Sequence, residues 1–125
     1  MTKILLVEDD PDTVELVHRI LTAHQFELSH AATAERGLEL ALVERPDLII
    51  LDLGLPDYDG QTLAGWLRGE ESLAETPIVA FSAWPQETGR TMAESYGCAG
   101  YISKPIVSVN EFVGQIRSFL GPVQA

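Results

Sequence analysis

The sequence predicts an α/β fold in which a five-stranded parallel sheet carries helices on both faces. Short apolar runs recur about every 20 to 30 residues, and segments with helical spacing lie between them. Three of the runs are apolar throughout, which is typical of strands covered on both faces of a parallel sheet. With 125 residues, the chain has room for one domain. The five predicted strands are Ile4–Val7, Phe26–Leu28, Leu48–Leu51, Ile78–Phe81 and Tyr101–Ile102.

The first and last helices are the most legible of those between and after the strands. In the first, Asp10 is the expected N-cap and Pro11 lies in the first turn, before an apolar stripe that runs through Val14, Val17, Ile20 and Leu21. In the last, Ser108 to Glu111 fits a capping box, and Gly121-Pro122 is expected to end the helix. The apolar face of this helix consists of Phe112, Val113, Ile116, Phe119 and Leu120.

Composition excludes several classes of partner. The 19 acidic and 8 basic residues give a formal charge of -11, which repels a polyanionic duplex, so no direct nucleic-acid partner is expected. No apolar run approaches the roughly 20 residues that span a bilayer, so no membrane partner is expected either. The single cysteine, Cys98, excludes an intramolecular disulfide, and the N-terminus lacks a secretory stretch. We therefore expect a cytoplasmic protein.

Acidic residues stand where two of the predicted strands end. Glu8, Asp9 and Asp10 follow the first apolar run, and Asp52 follows the third. If those strands are neighbours, like charges about 4 Å apart repel by roughly 1 kcal/mol in water and roughly 4 kcal/mol at an effective dielectric of 20. A hard cation would offset that repulsion, and carboxylates with a backbone carbonyl and waters suit Mg²⁺. The alternative is that the first three acids only interact with a helix dipole, and this interpretation is favoured for Asp10.

The fourth and fifth strands add a hydroxyl and an ammonium group. Ser82 ends the fourth run, and Lys104 follows the fifth. Taken singly, Ser82 is typical of a helix cap, Lys104 of a solvated surface lysine, and Asp52 of a residue that satisfies loop amides. Ligands of such sheets sit outside the carboxyl ends of the strands. Together, acids, a hydroxyl and an ammonium group at four strand ends are the groups that a phosphoryl-transfer site needs.

These residues carry a family resemblance that covers the whole chain. The chain resembles the receiver domain of two-component response regulators, with domain boundaries at 1–121 and a short tail at 122–125. The resemblance implies a flavodoxin-like, doubly wound sheet with strand order 2-1-3-4-5. Residues 97–106 are also similar to single-domain cell-cycle regulators of the DivK type. The matching segments are Lys3–Asp10, Pro46–Pro56 with Gly60, Pro77–Ala83 and Gly100–Pro105.

The resemblance implies a role for each acid. Asp52 would be the phosphoacceptor, attacking a phosphohistidine of a partner and becoming an acyl phosphate. Mg²⁺ would be the cofactor. Asp9 would hold it directly and Glu8 mainly through water, with Asp52 and the backbone carbonyl of Gly54 as the other protein ligands.

The resemblance also implies a switch. Lys104 would pair with the phosphoryl oxygens, placed by a cis Lys104-Pro105 peptide, and Ser82 would hydrogen-bond the phosphoryl group. Tyr101 would be the switch aromatic that turns inward as Ser82 moves toward the phosphate. The face formed by the fourth strand, fourth helix and fifth strand would then change shape and alter partner binding, by about 1 to 3 kcal/mol in systems of this kind.

The implied partners are a histidine kinase or phosphotransfer protein and a downstream protein target. A monomer or weak dimer is expected. The position of Met1 at the start of the motif favours a complete protein over a receiver fragment of a hybrid kinase or larger regulator. The chain is not expected to be an enzyme beyond its own phosphorylation and dephosphorylation.

Four alternative functions fit the sequence less well. A haloacid dehalogenase-type phosphatase needs a second aspartate two residues after the first, where this chain has Gly54. A flavodoxin-like electron carrier needs a phosphate loop after the first strand, where the acidic segment Glu8–Pro11 would repel a phosphate. No GxxxxGK[ST] motif supports nucleotide hydrolysis. A binding module that has lost phosphorylation is disfavoured by the presence of the acids, the hydroxyl and the lysine.

Overall fold

The computed structural model describes residues 1–120 and confirms the predicted fold class. Five parallel strands form one sheet in the order β2-β1-β3-β4-β5. A 3₁₀ turn at Glu71–Leu73 precedes the fourth strand. The elements in chain order are β1 (Lys3–Val7), α1 (Pro11–Ala23), β2 (Glu27–Ala31), α2 (Ala34–Glu44), β3 (Leu48–Asp52), α3 (Gly60–Arg68), β4 (Ile78–Ser82), α4 (Gln86–Ser95), β5 (Gly100–Ser103) and α5 (Val109–Phe119).

Two apolar cores, one on each face of the sheet, explain the continuous apolar strands. In β1, Leu5 and Val7 point to the core under α2, α3 and α4, whereas Ile4 and Leu6 point to the core under α1 and α5. Successive side chains of a strand alternate between the faces, so a strand that is covered on both faces is apolar up to the residue at its end. All five residues of β3, Leu48–Asp52, are buried for this reason.

The strand register brings the site residues to one edge. Val7 of β1 is paired with Leu51 of β3, so Glu8 follows at the level of Asp52. Asp52 in turn is paired with Phe81 of β4, which places Ser82 one residue beyond. Ser82 pairs with Ser103 of β5, directly before Lys104.

The second strand is longer than predicted. The observed strand, Glu27–Ala31, begins one residue later and ends three residues later than the predicted Phe26–Leu28. β2 lies at the edge of the sheet, where main-chain pairing with β1 continues through Ser29 and His30 although these residues are polar. Hydrophobicity marks buried strands, and so it gave no signal for this extension.

The two helix starts agree with the prediction in position. Asp10 is the N-cap of α1, but its carboxylate accepts from Thr13 Oγ1 at 2.7 Å and from no backbone N–H of the helix. Ser108 caps α5 by accepting from the N–H of Glu111 at 3.2 Å. The predicted stop at Gly121-Pro122 and the predicted domain boundary lie outside the described residues. Within residues 1–120, no helix combines the length and apolar composition needed to cross a membrane.

Candidate functional site

Glu8 is a fully buried acid whose two carboxylate oxygens both have partners. Its Oε1 accepts from Lys104 Nζ at 2.5 Å. Its Oε2 accepts from the backbone N–H groups of Asp9 and Asp10 at 3.1 and 3.2 Å. A buried charge that is paired and hydrogen-bonded in this way avoids most of the cost of leaving water. Glu8 therefore holds the lysine and the start of the β1–α1 loop in one arrangement.

Asp52 is the last residue of β3 and is also buried. One carboxylate oxygen lies 3.6 Å from Lys104 Nζ and accepts from the N–H of Gly54 at 3.3 Å. Burial and the adjacent charge of Glu8 raise the pKa of Asp52 to about 6, and the Lys104 ammonium partly opposes this shift. The result is a carboxylate that is ionised at neutral pH yet more basic than an exposed aspartate.

Asp9 completes a group of three acids. One carboxylate oxygen from each of Glu8, Asp9 and Asp52 lies within 4.8 Å of the others. Asp9 is exposed, and its side chain makes no hydrogen bond or ion pair with other residues in 1–120. Oxygens on opposite sides of an octahedral Mg²⁺ shell are about 4 Å apart, so this spacing needs only a small adjustment. The donor set, all hard oxygen, fits Mg²⁺ in chemistry and in size.

Lys104 lies where the β5–α5 loop begins. The Lys104-Pro105 peptide is cis, as the family resemblance implies. The backbone N–H of Lys104 donates to the carbonyl of Ser82 at 2.7 Å, and its ammonium lies 5.1 Å from the ring centroid of Phe81. These contacts direct the ammonium between Glu8 and Asp52, where it offsets the repulsion between the two acids.

Ser82 and Tyr101 are joined through the β4–α4 loop. The Tyr101 hydroxyl lies 2.8 Å from the backbone carbonyl oxygens of both Ser82 and Trp84 and shares its one proton between them. The tyrosine ring is already directed inward and is buried, so the inward turn that the resemblance implies stays a prediction. The Ser82 hydroxyl makes no hydrogen bond with the part of the chain that the structure describes. It is therefore available to a ligand at this edge of the sheet.

Known proteins match this chain over nearly its whole length. The family model for the response regulator receiver domain matches residues 4–117. The polar-differentiation response regulator DivK of Brucella ovis is 34% identical over 122 residues, which cover 97% of this chain and 98% of DivK. This chain belongs to the response regulator receiver domain family.

Solved receiver domains share the architecture. The BeF3-activated N-terminal receiver domain of Klebsiella pneumoniae RstA superposes with a TM-score of 0.87 at 30% identity, covering 97% of this chain and all of that one (100%). The receiver domain of the Pseudomonas aeruginosa sensor histidine kinase PA1611 superposes with a TM-score of 0.87 at 26% identity, covering 97% of this chain and 98% of that one. That structure has a magnesium ion coordinated in its active site cleft.

Membership of the receiver family establishes the general function. The protein acts as a phosphoacceptor in two-component signalling, a system in which receiver domains interact with histidine kinases or phosphotransfer proteins and with downstream targets. The similarity to DivK extends well beyond residues 97–106. The phosphatase, electron-carrier and nucleotide-hydrolase alternatives are not favoured.

The receiver domain contains three supporting residues that sequence reasoning missed. Gly89 of α4 leaves room for the Tyr101 ring, since a Cβ at this position would lie 2.2 Å from ring atoms. Asp57, in the β3–α3 loop, accepts from the N–H groups of Ala34 and Glu35 at 2.8 and 3.1 Å and so caps α2 from a distance. A ring nitrogen of His30 lies 2.8 Å from the backbone oxygen of Glu8. Each contact joins residues at least 12 apart in sequence, so no local pattern indicates it.

Proposed function

We propose that Asp52 is the residue that accepts the phosphoryl group. A carboxylate oxygen of Asp52 forms a bond to phosphorus as the phosphorus–nitrogen bond of a partner's phosphohistidine breaks, and the bonding electron pair leaves with the imidazole. The observation that carries this proposal is the convergence of Asp52 with two other acids and a lysine at the carboxyl edge of the sheet. Its pKa of about 6 leaves the nucleophile ionised at neutral pH.

The acid cluster is the proposed magnesium site of this receiver domain. Asp9 and Asp52 would be direct ligands, with the backbone carbonyl of Gly54, and Glu8 would act mainly through water. The full hydrogen bonding of both Glu8 oxygens supports this indirect role. When bound, Mg²⁺ supplies positive charge to the phosphoryl oxygens. The magnesium ion coordinated in the active site cleft of the Pseudomonas aeruginosa relative supports the choice of metal.

Lys104 and Ser82 are proposed to stabilise the product. A phosphoaspartate carries roughly -1.5 to -2 charges where the carboxylate carried one, and it adds acceptor oxygens. The Lys104 ammonium, 3.6 Å from Asp52, is close enough to pair with the new oxygens by a small movement. The Ser82 hydroxyl would donate to the same group.

Tyr101 is proposed to transmit the change to the protein surface. Its hydroxyl already bonds to the carbonyls of Ser82 and Trp84, so any shift of Ser82 toward a phosphoryl group moves the partner of the tyrosine. The ring packs against α4 at Gly89, and Gln86 of α4 donates to the Tyr101 carbonyl at 3.2 Å. Phosphorylation would therefore bias the position of α4 against β5 and so change partner affinity.

Phosphorylation by a small phosphodonor tests this proposal. Incubation with acetyl phosphate and Mg²⁺ should add one acid-stable but base- and hydroxylamine-labile acyl phosphate, seen by mass and on Phos-tag gels. Asp52→Asn should abolish the labelling, and chelation of Mg²⁺ should do the same. Asp10→Asn is the matched control, because Asp10 follows Asp9 in sequence and, within residues 1–120, its carboxylate accepts a hydrogen bond only from Thr13. Equal labelling of Asp52→Asn would reject the assignment.

Sustained turnover is not expected from this site. A phosphatase of the aspartate-nucleophile type would need a general acid at position 54, which is glycine. Hydrolysis of small phosphate esters should therefore stay at background in steady state. The cytoplasmic location, the weak or absent dimerisation and the lack of a nucleic-acid partner stay predictions from the sequence.

A further inference from the structure

A groove of about 630 Å³ lies between α2 and α3 and shares no residue with the phosphoryl site. Leu38 of α2 and Trp66 of α3 form its apolar floor, and both also pack on the core beneath. Gly65 of α3 and Gly69, the C-cap residue that follows the helix, line the groove without filling it. A Cβ added at Gly65 would meet nothing within 4 Å. The groove thus exists because α3 carries glycine where a larger residue would fit.

One aromatic side chain, Trp66, lines the groove, and a second, Tyr58, packs against it. Trp66 makes an edge-on contact with Tyr58, with ring centroids 4.9 Å apart and an interplanar angle of 69°. Tyr58 lies outside the lining of the groove, next to Trp66, and is 42% exposed. Tryptophan and tyrosine are the residues that most often supply binding energy at protein interfaces.

The rim of the groove is acidic. Glu35, Glu39 and Glu70 surround the apolar floor. Glu39 is paired with Arg36 at 3.2 Å, whereas Glu35 and Glu70 have no ion pair with any other residue in 1–120. Arg68 forms no ion pair with either of them among residues 1–120, and its guanidinium donates to backbone carbonyls at 2.9 to 3.3 Å. The rim therefore offers two unpaired carboxylates on a chain of net charge -11.

We propose that this groove binds a basic amphipathic helix of a partner protein. The apolar face of that helix would lie on Leu38 and Trp66, and its lysines or arginines would meet Glu35 and Glu70. A groove with an apolar floor and a charged rim selects this combination, because burial supplies affinity and the charges set the orientation and the association rate. A second copy of this chain is a poor occupant, since it would bring the same excess of negative charge.

A helical peptide of about 14 residues, built of leucine and lysine with leucines on one face, is the probe. The full chain with Trp84→Phe leaves Trp66 as the one tryptophan and reports binding by fluorescence. The peptide should shift Trp66 emission, and an isomeric leucine–glutamate peptide should not. Gly65→Leu should fill the groove and weaken binding at least tenfold. Gly114→Leu on α5, where an added Cβ also meets nothing within 4 Å, should stay within twofold.

A charge-matched pair of variants separates the groove from general attraction between opposite charges. The double variant Glu35→Gln, Glu70→Gln should bind the leucine–lysine peptide about tenfold more weakly than the parent chain does at low salt. Glu87→Gln with Glu94→Gln removes the same charge from exposed positions of α4 and should stay within twofold. The proposal is overturned if both pairs weaken binding equally, or if Gly65→Leu binds as tightly as the parent chain.

Self-association gives a third readout on the same variants. A dimer in sedimentation experiments that Gly65→Leu abolishes would assign the groove to a second copy and overturn the proposal. If the parent chain and Gly65→Leu are both monomers, and peptide binding is lost only in Gly65→Leu, the proposal is supported. The inference does not rest on the phosphoacceptor assignment, because Asp52→Asn should bind the peptide as the parent chain does.

Discussion

The pKa of Asp52 is determined by its burial and by the charged residues beside it. Burial and Glu8 raise its pKa to about 6 from an ordinary value of 3.8, and Lys104 limits the rise. The folded chain thus holds a proton on Asp52 more tightly than the unfolded chain does. The stabilisation this brings is fully present below about pH 4 and is lost as the pH rises through about 6.

Asp52→Asn should therefore stabilise the metal-free protein in a pH-dependent way. Relative to the parent chain in EDTA, its gain in free energy of unfolding should grow between pH 4 and pH 7 and then level off, reaching the order of 1 to 2 kcal/mol. Thermal unfolding at a series of pH values measures this, with roughly 4 °C per kcal/mol for a domain of this size. A gain that does not vary with pH would contradict the prediction.

Asp59→Asn is the control of opposite sign. The side chain and backbone N–H of Thr62 bond to Asp59 and lower its pKa. Its contribution to stability is therefore present above its ordinary pKa and is lost as the pH falls below about 4. The destabilisation caused by Asp59→Asn should shrink on acidification. The stabilisation caused by Asp52→Asn should shrink over the same change of pH, so the two variants differ in the sign of their effect on stability.

Gly89→Ala should displace Tyr101. The new methyl group would lie 2.2 Å from the ring, so the ring must leave its inward position or α4 must move. Burial raises the pKa of Tyr101, and the pKa should fall toward the ordinary value of 10.0 when the ring becomes exposed. The ¹³Cζ shift of Tyr101 against pH measures this. Gly114→Ala, in open space on α5, should leave that shift unchanged and should not destabilise the fold.

At the scale of elements, Arg68 joins segments that the chain leaves far apart. From the end of α3, its guanidinium donates to the carbonyls of Leu73, Ala74 and Thr76 before β4. It also donates to Gly97 in the α4–β5 loop at 3.1 Å. A planar group with five donors is suited to collecting several carbonyls at once.

Arg68→Met should cost about 2 to 3 kcal/mol in free energy of unfolding, because it keeps the aliphatic stem but leaves four carbonyls without their charged donor. Urea denaturation measures the loss. Arg68→Lys should recover less than half of it, since an ammonium cannot reproduce the fork. Arg90→Met is the matched control on the exposed side of α4 and should change stability by no more than about 0.5 kcal/mol.

At the scale of the whole molecule, the sheet concentrates negative charge at one edge. Three acids share a space of 4.8 Å, and one lysine offsets part of their repulsion. The free-energy cost of this arrangement is a property of the complete fold, because the acids come from two strands that pair only in the native sheet. A ligand that neutralises the edge should therefore stabilise the entire domain.

Mg²⁺ should raise the thermal stability of the parent chain. At ten times the dissociation constant, the expected gain is about 1.4 kcal/mol, or roughly 5 °C. Asp9→Asn should remove most of this gain, whereas Asp12→Asn, an exposed acid of α1, should keep it. Differential scanning fluorimetry with and without EDTA measures the effect. An undiminished gain in Asp9→Asn would show that the ion binds elsewhere.

The sequence predicts most of this architecture because burial on both faces of the sheet leaves a strong apolar signal. The acid cluster was also predictable, since Glu8 and Asp52 each follow such a run and parallel strands end at one edge. The polar part of β2 was not, because backbone pairing alone extends it. The roles of Arg68 and Gly89 were not predictable either, since each depends on a close approach by a distant segment.

The contact between Glu8 and Lys104 joins residues 96 positions apart. During synthesis, the acids of β1 and β3 leave the ribosome long before the lysine does. A nascent chain that ends before Lys104 therefore carries the acids without the ammonium that balances them. Competence to receive a phosphoryl group should therefore arise only after Lys104 has been made and has reached Glu8, so a chain truncated before Lys104 would be a poor competitor for the kinase's phosphate.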